Sequence, residues 1–120
     1  PWGAPRPRAV LLPETDAAAR EAEFAVLLAD GSLEPLYPAG SVLLGRREEG
    51  APRQGYALFL LNGAGYLRRL HRRHGTTRLA ALNVSFRDIP VRPEDSLEYV
   101  GTVTGAARTW RWADEGPRTA

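Results

Sequence analysis

The chain has 120 residues, 43% hydrophobic and 25% charged, with a formal net charge of +2. That is the make-up of one globular domain with a single modest core, and the charge sum alone is too small to imply nucleic-acid binding. No apolar run of about 18 residues is present to span a membrane, and the absence of cysteine excludes disulfides, thiol chemistry and zinc sites of the Cys type.

Residues 1–15 carry Pro1, Pro5, Pro7 and Pro13 and read as an arm or linker that resists regular structure. The opening lacks both Met and the layout of a signal peptide, which reads as part of a longer product. Asp16 is a good N-cap before three alanines, so one or two helical turns are expected there. Phe24, Val26 and Leu28 alternate with Ala25, Leu27 and Ala29, and the alternation predicts a strand over 23–29. The next segment is Asp30-Gly31-Ser32-Leu33-Glu34-Pro35, with a turn at Pro38-Ala39-Gly40. A serine just past a strand end and a glycine is expected on a tight exposed loop, where a nucleophile or a strained turn can sit.

From there the pattern is β. Residues 41–46 form a short strand, 47–54 an exposed loop, and the near-continuous apolar run 55–61 a strand buried on both faces. Asn62-Gly63 closes a hairpin onto 66–72, because both residues tolerate positive φ. His74-Gly75 turns the chain into 77–82. Residues 83–87 run on to Ile89-Pro90-Val91, where the proline marks a strand edge or end. The last strand, 97–103, places Leu97, Tyr99 and Gly101 on one face, and Ala106 to Trp112 extends it. The expectation is an all-β or β-rich compact domain of about seven short, highly bent strands, occupying 16–112, with a flexible tail over 113–120.

All 16 basic residues are arginine. Arginine stays protonated at any working pH, so histidine is the only basic side chain able to accept a proton. His71 and His74 are the only histidines, and no carboxylate lies around them at metal spacing. No metal site and no cofactor are expected.

The ordered set of these features is similar to the self-cleaving serine-peptidase domain of LexA, UmuD and the phage CI repressors, which shares a fold with signal peptidases. The likeness runs from about Phe24 to Val103. It rests on Asp30-Gly31-Ser32-Leu33-Glu34-Pro35, the Asn62-Gly63 hairpin, Leu67-Arg68-Arg69-Leu70, Leu82-Asn83, and Leu97-Glu98-Tyr99-Val100-Gly101-Thr102-Val103. The family typically reads G-D-S-M-E-P, P-x-G-D, V-K-R-L, a serine-aspartate-asparagine stretch and a closing strand with I-G-x-V.

The resemblance places Ser32 on the nucleophile, Gly31, Glu34, Pro35 and Asn83 on the segments that shape the site, and the Ser32 amide as oxyanion donor. It also places Arg68 where the family has a lysine whose neutral amine takes the serine proton. Asp30-Gly31 inverts the usual order, and Leu33 replaces methionine. A guanidinium has no accessible lone pair, so Arg68 is expected to hydrogen-bond Ser32 or pair with Glu34 in a degenerate site. His71, three residues on, is expected on the opposite strand face. The Ala-Gly pairs of the sort that the self-cleaving repressors cut, Ala39-Gly40 and Ala64-Gly65, both fall in expected turns downstream of Ser32.

The resemblance implies the C-terminal dimerisation and regulatory domain of a cytoplasmic repressor. Its implied partners are a second copy, operator DNA through a separate N-terminal domain, and an activated recombinase filament, with no membrane partner. The closing strand and Trp110/Trp112 are candidates for the subunit contact, because exposed aromatics commonly anchor interfaces, and an equal reading puts both tryptophans in the core. Two alternatives stand beside it. One is a working self-cleaving peptidase with an unrecognised base; the other is nucleic-acid binding through Arg68 to Arg73 with His71 and His74.

Overall fold

The computed structural model describes residues 10–11, 17–52, 54–107 and 110–112. The expectations for Pro1, Pro5, Pro7, Pro13, Asp16 and the tail over 113–120 lie outside these residues. The elements are β1 (Val10–Leu11), α1 (Ala17–Glu21), β2 (Phe24–Leu27), β3 (Val42–Arg46), β4 (Ala57–Leu61), β5 (Ala64–Arg73), β6 (Thr76–Ala80), β7 (Ile89–Val91), β8 (Leu97–Ala106) and β9 (Arg111–Trp112).

Seven strands form one antiparallel sheet in the order β2-β3-β8-β4-β5-β6-β7, so the expected β-rich class is borne out. Strands β1 and β9 pair separately, Val10 with Trp112 and Leu11 with Arg111. Part of the stretch expected to lack regular structure is therefore a strand. Its partner segment, expected to extend the last strand, is an element of its own.

The hairpin turns follow from their residues. Asn62 and Gly63 have φ of 52° and 83°, and His74 and Gly75 have 51° and 76°. Two consecutive left-handed residues match the twist of the strands that they join.

The sheet is buried on both sides, by one cluster of Leu28, Leu33, Leu43, Leu58 and Leu67 and another of Ala57, Phe59, Leu61 and Leu79. Strand β4 contributes to both, which explains its unbroken apolar run. Opposite it, a bulge in β8 lets Phe59 face Tyr99 and Leu58 face Gly101. The extra residue, Val100, moves Gly101 off the face of Leu97 and Tyr99, which corrects the expected alternation. Leu97 and Tyr99 pack with Phe59, whereas Val100 packs with Leu58. Strand β8 runs between β3 and β4 and pairs with both, so its backbone is already used within the chain. No helix among the described residues is long and apolar enough to cross a membrane.

Candidate functional site: a buried serine beside an arginine

The loop that carries Ser32 is closed at its base by backbone bonds. The Leu28 amide donates to Ser41 at 2.8 Å, and the Gly40 amide donates back to Leu28 at 2.7 Å. Gly40 makes the return with φ of 91°, where a side chain would be strained. Within the loop the Glu34 amide donates to Gly31 at 3.1 Å and the Tyr37 amide to Leu33 at 3.0 Å. The Glu34–Pro35 peptide is cis. The Glu34 carboxylate lies against the Gly31 backbone, where a β-carbon would push this exposed side chain aside.

Ser32 was expected on an exposed loop, yet it is fully buried, as is its neighbour Leu33. Two contacts pull it in. Leu33 is anchored in the core beside Leu28 and Leu67, and the segment 81–88 is tied to the loop through Asn83. The Asn83 amide donates to the Ser32 carbonyl at 2.9 Å, and its Nδ2 donates to the Gly31 carbonyl at 3.0 Å. Its Oδ1 accepts from the Ser85 amide at 2.9 Å, which fixes the rotamer that makes the clasp. Residues 83–87 are thus a connection held against the loop on the way to β7.

Asp30 acts on both ends of Ser32. Its Oδ1 accepts the Ser32 amide at 3.0 Å, so the amide expected to serve as oxyanion donor is already engaged. The carboxyl titrates below the usual range. Burial pushes it up, but the Ser32 hydroxyl, the Ser32 amide and the charge of Arg68 together outweigh that. The Ser32 hydroxyl is close enough to favour the carboxylate, yet its Oγ has no partner of hydrogen-bonding geometry.

Arg68 sits on β5 with only 3% of its surface exposed. Nη1 donates to the Leu67 carbonyl at 3.0 Å, and Nε has no partner. The guanidinium carbon lies 5.7 Å from the Tyr66 ring centre and 5.6 Å from that of Phe86, so two aromatic faces replace part of its lost hydration. Burial lowers its pKa, and the Asp30 carboxylate followed by Tyr66 resists that shift. The carboxylate whose charge acts on Arg68 is therefore Asp30 and not Glu34, which is exposed and lies by Gly31. Phe86 had no sequence signal marking it, because it lies in a polar stretch and its role depends on the 81–88 fold.

His71 stands elsewhere. It pairs across the hairpin with Arg78 and accepts at Nδ1 from Arg78 Nη2 at 3.1 Å. Since guanidinium nitrogens only donate, this places the ring proton on Nε2. Strand alternation puts the ring on the face opposite Arg68, and it is no base for Ser32. Of the two Ala-Gly pairs, Ala39-Gly40 is a turn, but Ala64-Gly65 begins β5.

The structure thus brings Gly31, Ser32, Glu34, Pro35 and Asn83 together around one loop, with Asp30 joining Ser32 to Arg68. No curated protein matches the chain at a significant level. A family described as Peptidase S24-like matches residues 5–104, which covers most of the chain, and the chain belongs to the Peptidase S24-like family.

Proposed function

We propose that this chain is the C-terminal dimerisation and regulatory domain of a LexA- or CI-like transcriptional repressor in which the peptidase site is catalytically silent. One observation carries the reading: the position matched to the family's lysine holds a buried arginine that faces Asp30 and two aromatic rings. A serine hydroxyl attacks only when a base takes its proton. Arg68 has no lone pair to offer, and Asp30, held below the usual carboxylate range, is a weak base. The Ser32 amide is bonded to Asp30 instead of waiting for an oxyanion.

In this reading the loop is kept for its shape, and the domain links two DNA-reading domains so that the second half-site binds intramolecularly. With β8 paired on both edges, a subunit contact through it uses its side chains and not its backbone, and half-buried Trp110 is a second candidate.

The experiment is incubation of the protein at high pH, or with activated recombinase filaments, beside its Ser32→Ala variant. Intact mass should be unchanged in both. Cleavage that disappears in Ser32→Ala would establish a working peptidase instead.

A further inference from the structure

We propose that the outward face of the β5–β6 hairpin binds the phosphodiester backbone of nucleic acid without reading its sequence. Strand β4 ends its pairing with β5 at Ala57 opposite Arg68, and beyond that point β5 pairs with β6. One side of this extension is core, where Leu70 and Leu79 face each other. The other side carries Arg69, His71 and Arg73 on alternate residues of β5, with Arg78 of β6 directly opposite His71.

Alternation along β5 alone divides its basic residues between two faces. The pairing restores a cluster, because it removes Arg68 into the interior and adds Arg78 from the neighbouring strand. Arg69, His71 and Arg78 are half-buried and Arg73 is exposed, while Arg72 and Arg87 are exposed nearby in the chain. Asp88 is the acid on this face and lies 3.4 Å from Arg78. It offsets one of the three guanidiniums. Among the described residues, Arg69 and Arg73 form no ion pair.

The chemistry favours one occupant. Guanidinium groups match phosphate oxygens in bidentate fashion. The large exposed hydrophobic residues, Leu27, Leu36 and Val84, lie outside β5 and β6, so this face has no apolar anchor for a bilayer. This face of β5 and β6 carries no Phe, Tyr or Trp for base stacking. What remains is charge, and charge reads the backbone.

The test is fluorescence anisotropy of the chain with a labelled mixed-sequence DNA duplex, from low to physiological salt. Neutralising two to three phosphates gives a log–log salt slope of about −2 to −3, so affinity should fall roughly 15- to 60-fold between 50 and 200 mM salt. Arg69→Gln with Arg73→Gln should reduce that slope by about two. Arg69→Lys with Arg73→Lys should retain most of it. Arg20→Gln with Arg47→Gln, both exposed and off this face, is the charge-matched control and should leave the slope unchanged. Circular dichroism confirms that each variant folds. Absence of binding at low salt would overturn the proposal, as would equal losses in the control, or tighter binding to phosphatidylserine vesicles than to DNA.

Discussion

Arg68 is the residue on which the site depends. A buried guanidinium is tolerated here because Asp30, the Leu67 carbonyl and two aromatic rings stand in for water. Removing it takes away a charge that favours the Asp30 carboxylate and leaves a void between Tyr66 and Phe86. Arg68→Ala should cost about 1–3 kcal/mol in denaturant unfolding, mainly through the lost packing of its side chain against the two rings. Asp30 contributes to the acid limb of stability. Its folded pKa is depressed, so its contribution is complete above the ordinary carboxylate pKa and disappears as pH falls through the lower folded value. Asp30→Asn should therefore lower stability at neutral pH and flatten the loss of stability below about pH 4. Unfolding curves across that range check this.

At the scale of elements, two close approaches hold the sheet. The Phe24 ring lies over Gly45 and Gly101, on strands β3 and β8, and a β-carbon on Gly45 would also stand 2.6 Å from the Thr102 carbonyl. A backbone oxygen cannot step aside, so Gly45→Ala should destabilise by about 1–3 kcal/mol through overpacking. The second is the clasp at the other end of the β4–β5 hairpin. Asn62 Nδ2 donates to Asp95 at 3.0 Å, and Asn62 Oδ1 accepts the Ser96 amide at 2.9 Å. Asn62→Ala loses both bonds at a left-handed residue, which should cost about 1–2 kcal/mol in thermal or denaturant unfolding. The Asn62-Gly63 turn was legible because its signal is local. The Val100 bulge was not, since it appears only when Leu58 and Phe59 choose their partners across the sheet.

For the whole molecule, the chain of strands, the order of the motifs and the family were readable, because apolar alternation and turn residues survive in one sequence. The burial of Ser32 was not readable, because it depends on Asn83, whose clasp spans about fifty residues. The same holds for the choice of Asp30 over Glu34 as the carboxylate facing Arg68. These facts bear on the central claim, that the serine has a place but no base. The most direct measurement is intact-mass analysis after exposure to a fluorophosphonate that labels activated serines, from neutral to high pH. The account predicts no adduct at Ser32 at any pH. An adduct that grows with pH and is absent from Ser32→Ala would contradict it.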